Sequence, residues 1–149
     1  MSQKSIKAVI FDLGGVLIDI DYQKTIDAFT SLGVEGAYDL YNQFDQSMLF
    51  DHYEKGEVSS DYFISQLERL AKSSIEKNQI IKAWNAMIGK IPKEKIAFIH
   101  KIKSKTPCYL LSNTNELHLN KVYINDNSDF ESLFQKCFYS HIIGKRKPD

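Results

Sequence analysis

Three residue types able to do phosphoryl chemistry stand just after three apolar runs of this chain. Asp12 follows residues 6–11, Ser112 follows residues 108–111, and the basic run Lys145-Arg146-Lys147 comes after residues 137–140. A carboxylate can attack phosphorus, a hydroxyl can orient an equatorial oxygen, and an ammonium can offset the negative charge that develops. The three groups can work together only if the chain brings them to one point. A parallel sheet does this, because ligand chemistry gathers where its strands end at their carboxyl edge.

The apolar runs read as the strands of such a sheet. Residues 6–11 are almost continuously apolar with β-branched side chains and are bounded by Gly14 and Gly15, which suits a strand buried on both faces. Residues 108–111 form a second strand that opens into Ser112-Asn113-Thr114-Asn115 and then a helix near Glu116, and residues 137–140 form a short third strand. The stretch 117–134 is split by the loop signal Asn125-Asp126-Asn127-Ser128. Pro92 fits the first turn of a helix whose buried face carries Ile96, Ile99 and Ile102. Strands alternating with helices predict an α/β, Rossmann-like parallel sheet with right-handed crossovers.

The chain between the first strand and Pro92 has a different period. Residues 23–32 align Ile26, Phe29 and Leu32 and stop at Gly33. Residues 37–50 carry Leu40, Tyr41, Phe44, Met48 and Leu49 at helical spacing, and Gly56 breaks the pattern. Ser59 or Ser60 can cap a third helix that buries Phe63, Leu67 and Leu70, and residues 76–88 align Ile80, Trp84, Met87 and Ile88. Four amphipathic helices with short links predict a small bundle inserted into the sheet domain. The expected division is a core of residues 1–18 and 91–149 with a helical cap of residues 19–90. Trp84 and Tyr53 read as cap core rather than as a ligand platform, and His118 as an exposed helix histidine.

Composition narrows the partners. The chain has 149 residues, with 19 Lys plus Arg against 19 Asp plus Glu, so nothing in its charge points to nucleic acid or an anionic membrane. A compact chain of this size needs no disulfide or metal to hold its core. Cys108 and Cys137 read as small core residues of a reducing compartment. The N-terminal apolar run is interrupted by Asp12 too early for a signal peptide, and no stretch is long enough for a membrane span. These features predict a cytoplasmic protein. His52, His100 and His141 show no metal-ligand spacing with cysteine or one another.

The three chemistry-bearing segments together resemble the motifs of the haloacid-dehalogenase (HAD) superfamily. Val9-Ile10-Phe11-Asp12-Leu13-Gly14-Gly15-Val16-Leu17 resembles its first motif, Leu110-Leu111-Ser112-Asn113 its second and Lys145-Arg146-Lys147-Pro148-Asp149 its third. They stand in the family's order, with a helical cap between the first two. The strings FDLGGVL, LSNTNELH, RKPD and YEKGEVS are similar to the helical-cap subfamily of bacterial α-D-glucose-1-phosphate phosphatase and the phosphatase domain of epoxide hydrolase.

The resemblance implies a phosphatase of a small phosphate ester that works through an aspartyl-phosphate on Asp12. It further implies that Asp12 and the backbone carbonyl of Gly14 bind Mg2+. Ser112 and the backbone around Gly15 and Asn113 would hold phosphoryl oxygens, and Lys147 would pair with Asp12 and the phosphate. Glu54 and Gly56 match the cap loop that faces the substrate in related enzymes; as plain sequence they make a helix–helix turn.

Two departures from the family pattern bear on activity. The family's usual acid–base aspartate two residues after the nucleophile is Gly14 here, and losing a positioned acid costs about 10²–10⁴ in rate. Asp19 and Asp21 are the nearest carboxylates in sequence. The family's fourth motif, an acidic pair that helps hold the metal, has no counterpart before Asp149. The expectation from sequence is therefore a chain shortened at its C-terminal side, with an incomplete metal site and impaired turnover. The first strand would then have an unpaired edge through which the chain could self-associate. Two other readings stay open at this point, a silent binding or assembly protein of the same fold and a 2-haloacid dehalogenase. Gly14 counts against the dehalogenase, which normally has an aromatic residue there.

Overall fold

The computed structural model describes residues 6–40, 48–126 and 129–149. Three parallel strands, β1 (Val9–Phe11), β2 (Cys108–Ser112) and β3 (Lys136–Tyr139), form one sheet in the order β1-β2-β3. The expected α/β class and the parallel arrangement are both present. Val9 stands opposite Cys108 and Phe11 opposite Leu110, while Ser112 stands opposite Tyr139. All three strands therefore run toward the same edge, and that edge carries the chemistry-bearing residues.

β2 is the central strand, and its alternate residues Cys108, Leu110 and Ser112 are buried. β1 is shorter than residues 6–11, and its burial differs from the expectation. Val9 and Phe11 are partly buried against the core, whereas Ile10 is 65% exposed. A strand buried on both faces needs a second layer and a second neighbour. Among the described residues β1 pairs only with β2, so one face and one edge stay open.

The sheet packs with α6 (Lys93–Lys103), α7 (Glu116–Asp126) and α8 (Ser140–Ile143). Pro92 lies one residue ahead of α6 at its N-cap, and Ile99 is fully buried with Ile96 and Ile102 beside it. A 3-10 turn at Phe130–Leu133 follows α7. Of the expected loop signal, Asn125 and Asp126 end α7, and Asn127 and Ser128 lie outside the described residues. Leu110, Val122, Leu133 and Ile18 belong to one hydrophobic cluster around the sheet.

A second cluster holds the inserted helices. These are α1 (Tyr22–Ser31), α2 (Ala37–Leu40), α3 (Met48–Glu54), α4 (Ser60–Arg69) and α5 (Lys77–Asn85). The single helix expected over 37–50 is represented by α2 and α3, and Tyr41 and Phe44 lie outside the described residues. Ser59 caps α4 by accepting a hydrogen bond from the Tyr62 backbone N–H at 3.1 Å. Glu76 and Gln79 make a reciprocal capping box on α5. Phe50, Tyr53, Phe63 and Trp84 pack ring against ring, with centroids 4.2 Å apart for Tyr53–Phe63 and 4.6 Å apart for Phe63–Trp84. Offset and edge-on pairs of this kind add about 0.5–1.5 kcal/mol each beyond buried area. They hold the insertion together as a unit.

Gly56 shows how closely this unit sits on the sheet domain. Its φ of 70° is a conformation that side chains disfavour. A Cβ at that position would also collide with the carbonyl oxygen of His141, in α8.

Candidate active site

The sheet register sets the site. Phe11 is level with Leu110, so Asp12 leaves β1 one step short of Ser112 on β2. The Asp12 carboxylate is held from both sides. Its Oδ1 accepts the Leu13 backbone N–H at 2.8 Å, and its Oδ2 lies 2.8 Å from Nζ of Lys147. The lysine also donates to the Leu111 carbonyl oxygen at 3.0 Å. The loop that carries Lys147 is pinned by two reciprocal bonds with Asn113. The Lys147 N–H donates to Asn113 Oδ1 at 2.8 Å, and Asn113 Nδ2 donates to the Lys147 carbonyl at 3.1 Å. Ser140 fastens the base of this loop to the β2 loop, accepting from the Thr114 N–H at 2.9 Å and donating to the Thr114 carbonyl at 2.8 Å. A basic tail without partners would make none of these bonds.

These groups open onto a cavity of about 510 Å³. Asp12, Gly14, Gly15, Ser112, Asn113, Lys147 and Glu54 all line it, so most of the residues picked out in sequence meet in one place. Gly56 does not line it. It sits at the seam between insertion and sheet domain, where its backbone approaches His141. Gly15 has a φ of 73°, which turns the loop after Asp12 tightly enough to face the cavity.

The insertion supplies the cavity's other wall, in part through residues that sequence reasoning did not select. Tyr22, at the start of α1, lines it, and the Tyr22 phenol is pushed up by burial and then by the charges of Glu54 and Asp12. Glu54 ends α3 and is largely buried, which pushes its carboxyl up; the charge of Arg146 opposes this and that of Asp51 adds to it. Arg146 places Nη1 2.7 Å from Asp51 Oδ1 and Nη2 2.9 Å from Glu54 Oε2. The contact with Glu54 is a charge pairing without hydrogen-bond alignment, and Glu54 Oε2 is a buried acceptor with no hydrogen-bond donor among the described residues.

Trp84 and His118 also line the cavity, and for His118 the expected exposure is wrong. The imidazole is buried, stacks on the Trp84 indole and meets the Trp84 carbonyl oxygen at 3.1 Å through Nε2. Asn115 ties the two together, accepting from Trp84 Nε1 at 3.2 Å and from the His118 N–H at 3.0 Å. Exposure is only the default for a helix histidine; the preceding Asn115, whose side chain accepts the His118 N–H at the start of α7, was the available signal. Asp19 and Asp21, the nearest alternatives for a proton-transfer group, do not line the cavity. Asp19 pairs with Lys95 at 3.5 Å and Asp21 with Lys24 at 3.7 Å.

The donor set suits a magnesium ion in part. Asp12 offers a carboxylate and Gly14 a backbone carbonyl, and magnesium commonly takes one or two carboxylates with substrate phosphate oxygens and water. Among the described residues no group of three or more His, Cys, Asp or Glu side chains is placed to hold a metal.

This arrangement is that of a known class of enzyme. A HAD family enzyme of Bacteroides thetaiotaomicron, solved with magnesium and inorganic phosphate, is 30% identical and superposes with a TM-score of 0.88, covering 97% of this chain and 74% of that one. A predicted HAD-like family hydrolase from Porphyromonas gingivalis is 29% identical with a TM-score of 0.81, covering 97% of this chain and 71% of that one. In sequence, D-ribitol-5-phosphate phosphatase of B. thetaiotaomicron is 29% identical over 147 residues, which is 96% of this chain and 71% of that enzyme. No protein-family model matches the chain. The chain belongs to the haloacid-dehalogenase (HAD) family.

The L-2-haloacid dehalogenase RSc1362, at 17% identity and a TM-score of 0.55, shares the fold. Among the described residues no helix is long and apolar enough to cross a membrane.

Proposed function

We propose that this chain is a phosphatase of small phosphorylated metabolites, with Asp12 as the nucleophile. The observation that carries the reading is the Asp12–Lys147 pair at 2.8 Å, on the floor of a cavity also lined by Ser112. A carboxylate held in this way can attack phosphorus in line with the departing alcohol and form an aspartyl-phosphate, which water then cleaves. Lys147 offsets the charge on the phosphoryl oxygens, and Ser112 with the backbone of Asn113 and Gly15 orients them. Magnesium, when bound at Asp12 and Gly14, supplies Lewis-acid stabilisation of those oxygens. The HAD relative solved with magnesium and phosphate supports both the ion and the substrate class.

Glu54 supports a hydroxyl-bearing leaving group. Its Oε2 is charge-paired with Arg146 but has no aligned hydrogen bond, so it is free to accept one from a ligand hydroxyl. A sugar or polyol phosphate would supply that hydroxyl, and the resemblance to a ribitol-phosphate phosphatase agrees with that chemistry. In this reading residues 1–18 and 91–149 form the catalytic core, residues 19–90 form the substrate-selecting cap, and Gly56 keeps the cap loop seated. The unpaired Cys108 and Cys137 support a cytoplasmic setting. The open edge and exposed Ile10 of β1 support self-association with a second copy of the chain.

The test is release of inorganic phosphate from a panel of sugar and polyol phosphates, with and without magnesium, by the wild type and Asp12→Asn. Magnesium-dependent turnover that the substitution abolishes is the expected result. Absence of turnover on every ester, or turnover that survives the substitution, overturns the reading.

A further inference from the structure

Among the described residues, the charged side chains lining the cavity are two carboxylates and two cations, Asp12, Glu54, Arg146 and Lys147. They are paired by element. Lys147 serves Asp12 on the sheet side, and Arg146 serves Glu54 on the insertion side. Arg146 also binds Asp51, whose carboxyl is held below its ordinary range by hydrogen bonds from Lys55 and Arg146. A phosphate monoester brings up to two negative charges to this cavity. Lys147 is adjacent in sequence to Arg146, so one short loop delivers both neutralising groups.

We propose that Arg146 is a positioning residue that keeps the insertion-side wall electrically neutral, acting through Glu54 and Asp51, so that a phosphate dianion can bind beside Asp12. The proposal rests on the reading that the phosphoryl group binds between Asp12, Ser112 and Lys147. Three features of the geometry support it. The guanidinium reaches two carboxylates of α3 at 2.7 and 2.9 Å, and both Arg146 and Glu54 are only 19% exposed by side chain, so water screens that pair weakly. Glu54 lines the same cavity as Asp12, so its charge faces the space that an anion beside the nucleophile would enter. With Arg146 removed, the cavity lining changes from two carboxylates against two cations to two against one. A remaining partly buried carboxylate would then repel the incoming anion.

The role is separable from direct phosphate contact and from simple bracing of the fold. Binding of inorganic phosphate, in the presence of magnesium, is measured by titration calorimetry for the wild type, Arg146→Met, Arg146→Lys, Glu54→Gln and Arg146→Met/Glu54→Gln. Thermal melts confirm that each variant is folded at the temperature used. Inorganic phosphate has no leaving group, so loss of a hydroxyl contact at Glu54 does not enter. The expected result is a loss of affinity of about tenfold or more in Arg146→Met, little loss in Arg146→Lys, and recovery of most of the affinity in the double variant. A direct contact between Arg146 and phosphate, or a purely structural role, gives no recovery when Glu54 is neutralised; that outcome overturns the proposal, as does unchanged affinity in Arg146→Met. Absence of phosphate binding by the wild type overturns instead the reading of the site on which the proposal rests.

Discussion

The indole of Trp84 and the imidazole of His118 lie nearly parallel, 13° apart with centroids separated by 4.6 Å, and they join α5 of the insertion to α7 of the sheet domain. Burial lowers the His118 pKa to about 4 from an ordinary 6.5, with the Trp84 carbonyl oxygen only partly opposing it. Above pH 6.5 the ring is neutral folded or unfolded and contributes no pH dependence. Between 6.5 and 4 the unfolded chain takes up a proton that the folded chain refuses, so stability falls as the pH falls. The full loss is ~3 kcal/mol. Urea denaturation at several pH values, for the wild type and His118→Gln, measures it. The wild type should lose more stability than the variant through this window, and parallel curves would show that the ring is not held neutral.

Gly56 offers a sharper test of how the insertion is seated. An alanine there must adopt a φ near 70° and push its methyl group against the His141 carbonyl. Left-handed conformations of this kind cost about 1–3 kcal/mol for a side-chain-bearing residue. Gly56→Ala should therefore lower unfolding free energy by at least that amount, read from chemical denaturation. Gly33→Ala is the control, because it has a similar φ but open space around its Cβ position, and it should cost less. Equal losses in the two variants would mean that the contact with His141 adds nothing.

The sequence was most informative where local pattern and tertiary role coincide. The runs ending at Asp12 and Ser112 are apolar because the sheet buries part of each strand, so the strand tips and their reactive residues could be found without coordinates. Lys147 could be found because its neighbours matched a motif, although its bonds to Asn113 and Leu111 span more than 30 residues of chain and leave no local trace. His118 was misjudged for the same reason. Its burial depends on Trp84, 34 residues away on another helix, and no helical period reports that. Tyr22 and Arg146 carry no individual signal in the sequence. Their importance comes from an electrostatic neighbourhood assembled by α1, α3 and the loop after α8.

Position 14 lacks the acid–base carboxylate that the resemblance leads one to expect, and packing does not demand a glycine there. Its φ is not among the positive values, and an added Cβ would meet the Ile20 side chain at 3.5 Å, an ordinary contact. Gly14 and Ile20 line the cavity together with Asp12, so a carboxyl at position 14 would share that cavity with the nucleophile. Gly14→Asp should raise kcat on alkyl phosphates, whose alkoxide leaves poorly without a proton, by about tenfold or more; a positioned acid is worth about 10²–10⁴. Aryl phosphates, whose leaving groups need less protonation, should gain less. Steady-state kinetics on the two ester types decides the matter, and an unchanged ratio between them would show that proton transfer does not limit turnover.

The open side of β1 leads to a prediction about assembly. A strand edge exposes unpaired N–H and C=O groups, which another strand can satisfy, and an exposed apolar side chain strengthens such pairing. β1 has β2 on one side and no strand on the other among the described residues, and Ile10 projects to solvent with 65% of its surface exposed. These 149 residues should therefore show a sedimentation coefficient that rises with concentration. Ile10→Lys places a charge on the exposed face of the same strand without disturbing Val9 or Phe11, which pack inward. It should shift the population toward monomer while leaving the thermal melt of the dilute protein nearly unchanged. A wild type that sediments as a monomer across the whole range, or an assembly that Ile10→Lys leaves intact, would place any interface elsewhere on the molecule.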